Sequence, residues 1–426
     1  MTEDFLHYIW KFRLFDMTDL KTDEGESLQV VKTGDHNAHA GADFFNSKVK
    51  IGTTLWAGNV EIHLQTDDWN KHHHQHDKAY NNVILHVVYD SDESVIMVDK
   101  RLVPVLELKG KIKRKIWDNY EELIGNKDWI PCEQQIKSVD RFTIDNWLER
   151  ILIERLERKT GELLLALNQN NNNWEETFYR TLAKNFGYKI NALPFELLAK
   201  SIPNIILAKH KDNIEQIEAL LFGQAGMLND DTMDDDYYKS LKKEYEFLKH
   251  KHSLTPLDES LWKFMRLRPI SFPSIRIAQF AQLIHHSSHL FSKILEVRST
   301  RELSKLFKVS TSDYWREHYV FGKPSVTKSK PLGRDFIDTI IINTVVPFLF
   351  VYGKKKGLPK QTDKAFRFLE ELMPEKNSIL TKWNEIGVDA TNSYQSQALL
   401  ELKNEYCVRK KCLTCGIGNK ILNRHE

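Results

Sequence analysis

The chain has 426 residues, more than the roughly 100–200 residues of an ordinary domain, so we expect two or three domains. Apolar residues make up 41% of the sequence and aromatic residues 11%, which suffices for a packed interior and excludes general disorder. Lys and Arg total 61 against 59 Asp and Glu, and the net charge of +2 excludes a basic field over the whole protein. Any surface for DNA or RNA must therefore be local.

Neither the N-terminal segment nor the longest apolar stretch of the chain indicates export or membrane insertion. The first twenty residues mix charged and apolar side chains and lack the basic start and apolar run of a secretory signal. The longest apolar stretch, Phe336 to Tyr352, is interrupted by polar residues and Pro347, and predicts a buried helix. We expect a cytoplasmic protein with no membrane partner, and the oligomeric state stays open.

The N-terminal third predicts one helix followed by a sheet. Residues Thr2 to Asp16 carry apolar side chains close to a helical period, which is typical of an amphipathic helix. Short β-rich runs then follow at Lys48 to Ile51, Thr54 to Gln65, Asn82 to Tyr89 and Val95 to Leu108. Gly52 and Thr53 leave room only for a tight turn, so the first two runs should pair antiparallel.

Beyond Pro131 the pattern becomes helical. Helices are predicted at Thr143 to Leu167, Trp174 to Asn185, Glu196 to Leu207 and Ile214 to Leu221. The predicted fold class is α+β, with an N-terminal mixed sheet and flanking helices in residues 1–135 and a mainly helical domain in residues 136–426. We expect the C-terminal cysteines of the second domain to pack back on the first.

One strand carries two residues that support chemistry. Apolar and polar residues alternate strictly from Val60 to Gln65, so Glu61 and His63 should share the face opposite the core. A carboxylate and an imidazole would then lie side by side on a rigid strand. The alternative interpretation is that this face is only the solvent side of a half-exposed strand.

A third residue, Asp43, lies about as far before the Gly52 turn as Glu61 lies after it. The hairpin should bring Asp43 opposite Glu61, although a bulge at Gly58 or a one-residue change in the turn decides which face Asp43 takes. Two carboxylates on adjacent strands are typical ligands for Mg²⁺, or Mn²⁺ in its place. Such a site favours phosphodiester hydrolysis.

The residues around this hairpin resemble a known family. The segments GADF at 41–44, LWAGNVEIH at 55–63 and AYNNVILHVV at 79–88, with Asp68-Trp69, are similar to the DUF2851 family of bacterial proteins. The resemblance covers most of the chain, and the family name implies no function.

The same arrangement also resembles the restriction-endonuclease-like PD-(D/E)XK superfamily of nucleases. This resemblance implies that Asp43 and Glu61 bind metal and that residues 1–135 adopt the nuclease fold. His63 stands where that pattern has Lys, and Ala42 where it has Pro. Either an imidazole takes over part of the work of the Lys as a base or donor, or the fold has lost catalysis and serves as a scaffold that binds nucleic acid or protein.

A dense group of histidines follows the Glu61 strand, comprising His72, His73, His74 and His76. Adjacent residues of one loop cannot all converge on one ion, so a polar turn beside the active face is the preferred interpretation. A transition-metal hydrolase built on these imidazoles is the alternative. His86, in an apolar run, is expected to be a hydrogen-bonded interior residue and only a weak candidate for the site.

Three of the four cysteines lie near the C-terminus as Cys407-x4-Cys412-x2-Cys415, and the last spacing is typical of a metal knuckle. Cys132 would complete a set of four if the C-terminus folds back. This pattern resembles nucleases in which one distant cysteine and three C-terminal ones hold an iron–sulfur cluster. Zinc with Cys132, zinc with His425, an iron–sulfur cluster and unliganded thiols all fit the sequence.

Overall fold

The computed structural model describes residues 1–37, 39–92, 97–98, 101–287 and 289–424. The chain forms two compact units, of which unit 1 comprises Met1–Trp147 with Leu402–Glu426 and unit 2 comprises Leu148–Glu401. The last segment of the chain thus belongs to the same unit as the first. The predicted division after residue 135 lies 12 residues before the end of the first segment of unit 1 at Trp147.

Unit 1 contains the mixed sheet that the sequence predicts. Its helices and strands are α1 (Glu3–Phe12), β1 (Leu28–Lys32), β2 (Asp35–His36), β3 (Phe44–Ile51), β4 (Thr54–Gln65), α2 (Asp68–Lys71), β5 (Val83–Asp90), β6 (Met97–Val98), β7 (Arg101–Leu102), β8 (Val105–Glu107) and α3 (Arg114–Gly125), with α19 (Gly416–Leu422) near the C-terminus. The strand expected at Val95 to Leu108 is replaced by three short strands, and residues 95–96 and 99–100 of that run lie outside the described part. Pro104, which cannot donate a ladder hydrogen bond, separates the last two.

The sheet has the order β1-β3-β4-β5-β8, with β2 paired to β3. Strands β3 and β4 are antiparallel, and Ile51 lies opposite Thr54, which confirms the tight turn at Gly52 and Thr53. Strands β4, β5 and β8 are parallel to one another. This change from antiparallel to parallel pairing makes the sheet mixed.

A bulge in β3 sets the register of the hairpin. Ser47 lies opposite Gly58 and Phe44 opposite Val60, so two residues of β3, Phe45 and Asn46, face one residue of β4. Asn46 takes a left-handed conformation with φ of 56°. The bulge therefore lies in β3 and not at Gly58, the position raised from the sequence.

Gly58 has a different role. A Cβ atom at this position would lie 2.6 Å from the carbonyl oxygen of Asn82 and 2.4 Å from Cγ2 of Ile84. Only glycine therefore allows the start of β5 to approach β4 this closely.

The parallel pairing of β4 with β5 requires the chain to cross one face of the sheet between them. Residues 66–82 make this crossover through α2 and two short 3₁₀ turns at His74–His76 and Lys78–Tyr80. Trp69 and Tyr80 of the crossover are buried and pack with Val88 of β5. The crossover is thus fixed over the face of the sheet that carries Val88.

The opening helix α1 begins at Glu3, where the Thr2 hydroxyl accepts a hydrogen bond from the Phe5 N–H, as in an N-cap. Phe5 and Ile9 are completely buried, and the Phe5 ring lies 4.3 Å from that of Tyr120 in α3. The amphipathic helix that the sequence predicts is confirmed, with its apolar face directed into unit 1.

Unit 2 is mostly helical. It contains the greater part of α4 (Arg141–Gln169), which begins in unit 1. Its other helices are α5 (Trp174–Phe186), α6 (Ala192–Ser201), α7 (Asn204–Lys209), α8 (Ile214–Gln224), α9 (Asp236–His252), α10 (Pro273–His286), α11 (Leu290–Glu296), α12 (Thr300–Leu306), α13 (Tyr314–Glu317), α14 (Arg334–Ile340), α15 (Val346–Lys356), α16 (Pro359–Glu371), α17 (Ser378–Glu385) and α18 (Ser393–Glu401). A small ribbon is formed by β9 (His318–Val320) and β10 (Lys323–Pro324). The helix expected from Glu196 to Leu207 is divided into α6 and α7 because Pro203 cannot continue a helix.

The apolar stretch near residue 340 forms one continuous helix, Arg334–Lys356, with a π-helical turn at Ile341–Val345. By length and composition this helix could cross a membrane, and it is the one such helix in the described part of the chain. However, 78% of its most apolar window is buried inside the protein. This burial is typical of a core helix and agrees with the expectation from the sequence.

Candidate metal centre

The bulge in β3 brings Asp43 opposite Glu61. Because Phe44 faces Val60, the residue before Phe44 faces the residue after Val60, and directly opposed residues of an antiparallel pair project to the same side. In a regular ladder extended from Ser47 and Gly58, Asp43 would instead face Ile62. Asp43 and Glu61 are called the acidic pair below.

Hydrogen bonds fix both carboxylates of the acidic pair. The Asp43 N–H donates to Glu61 Oε2 over 3.1 Å, and the Ile62 N–H donates to Asp43 Oδ2 over 2.9 Å. Asp43 Oδ2 also lies 3.2 Å from Nε2 of His7. The two acids are thus held side by side, and this arrangement depends on the bulge in β3 as well as on the hairpin.

Glu61 is only 4% exposed, so it is not on a solvent face. Burial raises the pKa of its carboxyl group to about 9, and the Asp43 carboxylate contributes to the same rise. Ionisation of both acids at neutral pH therefore needs a compensating positive charge. A bound cation would supply it.

His63 is 2% exposed and lies among other imidazoles. Its Nδ1 lies 2.8 Å from Nε2 of His86, and its Nε2 lies 3.1 Å from Nδ1 of His72. Burial, together with the nearby histidines, lowers the pKa of His63 to about 2, so the ring is neutral. His63 consequently does not supply the positive charge of a Lys at this position.

The crossover brings two further histidines to His63. Among the described residues, His63, His72 and His74 form a group whose ligand atoms all lie within 4.8 Å of one another, called the histidine group below. His74 Nε2 lies 3.4 Å from Glu61 Oε1, and His63 Nε2 lies 3.6 Å from the same oxygen. The acidic pair and the histidine group therefore meet at Glu61.

The sequence favours a polar turn at residues 72–77 over a second metal site, and the structure places two histidines of this turn next to His63. His72 and His74 lie beside His63, although His72 is exposed to solvent like His73 and His76. Asp77 accepts a hydrogen bond from the Ala79 N–H and so shapes the turn. His86 is fully buried and hydrogen-bonded to His63, which confirms its interpretation as an interior residue.

Two residues of α1 join the site that the sequence reasoning did not include. His7 contacts Asp43, and the Glu3 carboxyl lies close enough to Asp43 and His72 for their charges to affect its pKa, which burial raises. Glu3 and His7 are four residues apart and so share one face of the helix. This four-residue spacing on the predicted opening helix is the sequence signal that could have identified Glu3 and His7 as site residues.

The family comparison covers this whole site. Residues 3–378 match the family described as "Protein of unknown function (DUF2851)". The chain belongs to the DUF2851 family. No curated protein matches the chain, and no solved structure matches it.

The four cysteines of this DUF2851 protein all lie in unit 1 and are free of disulfides. Cys132, Cys412 and Cys415 are buried. Burial raises the pKa of the Cys132 thiol, and the thiols of Cys415 and Cys412 raise it further. The pKa of Cys407 is likewise raised by burial and then by the other three cysteines. The four thiols thus lie near one another.

The cysteines are, however, more widely spaced than the histidines. Among the described residues, no three cysteine sulfurs all lie within 4.8 Å of one another. The backbone N–H groups of Ile417 and Gly418 lower the pKa of Cys415, which burial raises overall. His425, the alternative zinc ligand, lies outside the described residues.

Proposed function

We propose that this DUF2851 protein is a metal-dependent nuclease that hydrolyses phosphodiester bonds of DNA or RNA at the acidic pair. The observation that supports this proposal most is the bulge at Phe45 and Asn46, which places Asp43 beside Glu61. Without that extra residue in β3, the two acids would face opposite sides of the sheet. We expect the activity to be cytoplasmic.

The donor chemistry fits Mg²⁺ or Mn²⁺. Asp43 and Glu61 supply carboxylate oxygens, which both ions prefer. Such an ion, when bound, polarises a phosphoryl oxygen and lowers the pKa of a water molecule. The chain itself orients the carboxylates through the N–H groups of Asp43 and Ile62.

His63 has a different role from the Lys of the PD-(D/E)XK pattern. The neutral ring cannot stabilise negative charge as an ammonium group does, and both of its nitrogens already contact other histidines. We propose that His63 holds His72 and His86 in place and that its Nε2 donates an electron pair to a bound metal ion. Because a neutral imidazole replaces the charged Lys, the alternative function is a scaffold that binds nucleic acid or protein without cleaving it.

The test is cleavage of single- and double-stranded DNA and RNA with Mg²⁺ or Mn²⁺. We expect cleavage to depend on the metal and to fall by at least about 100-fold in Asp43→Asn and in Glu61→Gln, which keep the shape of each side chain. Asp90→Asn is the matched control, because Asp90 is an acid at the end of β5 that lies outside the acidic pair and is paired with Lys109 over 2.7 Å. Intact substrates under all these conditions would favour the scaffold.

We also propose that Cys132, Cys407, Cys412 and Cys415 bind a metal group, either zinc or an iron–sulfur cluster. Four thiols near one another, three of them buried, support this proposal, because unliganded thiols from distant parts of the chain have no need to lie together. Four sulfurs around one zinc ion are about 3.8 Å apart, given a Zn–S distance of about 2.3 Å. The metal content of the purified protein decides between the two groups.

Metal analysis and an absorbance scan of protein purified without oxygen separate these two groups. Iron with acid-labile sulfide and visible charge-transfer bands indicates a cluster, whereas colourless protein with one zinc ion indicates a single-ion site. Cys132→Ser should lower the content of either metal. An unchanged content would show that Cys132 is not a ligand.

A further inference from the structure

We infer that the histidine group, together with Oε1 of Glu61, is a binding site for a transition-metal ion such as Zn²⁺, distinct in its chemistry from a magnesium site. The three histidines of the group have ligand atoms that all lie within 4.8 Å of one another, and Glu61 Oε1 lies close to two of them, His63 and His74. As a statement about the metal of the proposed site, this inference rests on the proposed function, and its test therefore measures binding separately from cleavage.

The distances fit one ion. Ligands about 2.0–2.1 Å from a tetrahedral zinc ion are about 3.3 Å from one another. In this protein His63 Nε2 lies 3.1 Å from His72 Nδ1, His74 Nε2 lies 3.4 Å from Glu61 Oε1, and His63 Nε2 lies 3.6 Å from that oxygen. These three separations are each close to the edge of a metal tetrahedron.

Hydrogen bonds alone do not satisfy these atoms. The Nε2 of His74 is buried and has no hydrogen-bond partner, although it lies near Glu61. His63 Nε2 faces both His72 and Glu61 but carries at most one proton, so it cannot donate to both. An unsatisfied buried polar atom destabilises the folded protein. A cation accepts electron pairs from all four atoms at once.

The surroundings also resemble the second shell of a metal site. A histidine ligand usually donates its other ring N–H to a fixed acceptor, which sets its tautomer. With Nε2 directed at the ion, His63 would carry its proton on Nδ1 and donate it to His86 Nε2, 2.8 Å away. His74 is held by stacking on Tyr80, with ring centroids 3.9 Å apart.

The donor set selects the class of metal. Imidazole nitrogens suit zinc, iron, nickel and copper, whereas Mg²⁺ takes oxygen ligands and keeps several waters. Glu61 separates the two chemistries, because its Oε2 faces Asp43 and its Oε1 faces the histidine group. One carboxylate is therefore available to both sites. Pairs of ions that share a carboxylate in this way are common in enzymes that cleave phosphodiesters.

The test titrates Co²⁺, a spectroscopic substitute for Zn²⁺, into full-length protein that has been stripped of metal. We expect one bound ion with the visible bands of nitrogen and oxygen ligation, which differ from the sulfur charge-transfer bands of the cysteines. Zn²⁺ should displace this ion, and Mg²⁺ at the same concentration should not.

His72→Ala and His74→Ala should each weaken this binding by more than about 100-fold, because changes in the second shell alone cost about 10- to 100-fold. His73→Ala is the matched control, since its exposed side chain lies outside the histidine group. His72 is exposed, so its loss leaves no hole in the core, and circular dichroism checks the fold of each variant.

Equal binding by His72→Ala and His73→Ala, or equal competition by Mg²⁺ and Zn²⁺, would overturn the inference. Cleavage with Mg²⁺ that persists in that case would leave the nuclease proposal standing. Conversely, a bound Co²⁺ ion lost in His72→Ala, without cleavage of any substrate, would support the metal site and contradict the nuclease.

Discussion

Two buried glutamates of this protein show how the surroundings of one residue decide its chemistry. Glu61 lies beside a second carboxylate and several imidazole nitrogens, an arrangement that attracts a cation. Glu218 in unit 2 is 1% exposed and receives hydrogen bonds from the hydroxyl groups of Tyr237 and Ser312, over 2.6 and 2.8 Å. Burial, with a smaller contribution from the Glu215 carboxylate, raises the pKa of Glu218, so its environment favours the protonated acid.

Burial raises the pKa of Glu218 from 4.5 to about 7. The folded protein then holds this proton more tightly than the unfolded chain does, so stability falls as the pH rises from about 4.5 to about 7. The full difference corresponds to about 3 kcal/mol. We expect Glu218→Gln to remove this slope and to be more stable than the natural protein at about pH 8.

Urea unfolding of both proteins at about pH 5 and about pH 8 measures this difference. Glu246→Gln is the control, because Glu246 is an exposed acid on α9 and its replacement should leave the slope unchanged. A Glu218→Gln variant that loses stability equally at both values would mean that hydrogen-bond geometry outweighs the protonation of the acid.

At the scale of elements, one extra residue in β3 controls the acidic pair. Asn46 accepts the left-handed conformation more readily than most residues, and its side chain donates to Asp35 Oδ2 over 3.3 Å at the surface. A residue that resists positive φ at this position favours a regular ladder. In that ladder Asp43 would face Ile62 and would no longer lie beside Glu61.

Asn46→Val should therefore reduce the free energy of unfolding by about 1–2 kcal/mol, the cost of a left-handed conformation for a branched side chain. It should also weaken metal-dependent cleavage, because Asp43 no longer stays beside Glu61. Asn46→Gly, which accepts positive φ without strain, should keep cleavage close to that of the natural protein.

Thermal unfolding and the cleavage assay on both variants check this prediction. Loss of cleavage in Asn46→Gly as well would show that the Asn side chain itself matters. Unchanged cleavage in Asn46→Val would show that the bulge does not control the acidic pair.

The sequence predicted those elements that depend on neighbours along the chain. The bounds of β4 agree at both ends with the predicted run Thr54 to Gln65, since the Gly52-Thr53 turn and the strict alternation are local signals. The alternation also placed Glu61 and His63 on one face. Their deep burial was not predictable, because it depends on the crossover that covers this face.

The positions that the sequence did not predict depend on tertiary pairing. The location of the bulge follows from how β3 fits β4 and from a single left-handed residue, for which Asn46 gives no distinctive signal. Similarly, His72 and His74 reach His63 only because β5 pairs parallel to β4 and the connection must cross above it. The four histidines at 72, 73, 74 and 76 gave no indication of which two would lie beside His63.

At the scale of the whole molecule, unit 1 is assembled from the two ends of the chain. Asn423 donates to the Tyr8 hydroxyl over 2.7 Å, and Asn119 of α3 donates to the carbonyl of Leu422 over 3.3 Å. The Lys403 ammonium lies 4.7 Å from the centre of the Trp129 ring, close to Cys132 in the sequence. The last segment of unit 1, Leu402–Glu426, is called the closing segment below. The family match ends at residue 378, before this segment begins.

A metal group at the cysteines would join these two ends directly. Binding to a site that exists only in the folded state adds to the free energy of unfolding, so loss of one ligand should destabilise unit 1. We expect Cys132→Ser to lower the melting temperature of unit 1 on the order of 10 °C. In a unit of this size, each kcal/mol of lost unfolding free energy lowers the melting temperature by about 2–4 °C. Ser keeps the volume close to that of Cys and so limits the effect of packing.

Scanning calorimetry of metal-loaded and metal-stripped samples separates the metal from the packing. After stripping, the natural protein and Cys132→Ser should melt at nearly the same temperature, since neither then has a bond between the two ends. Hydrogen exchange in peptides from α3 and α19 should rise in both stripped samples and in loaded Cys132→Ser, because α19 lies in the closing segment and α3 contacts it. A difference of 10 °C that persists after stripping would assign the effect of Cys132 to its packing in the core and would contradict a metal ligand at this position.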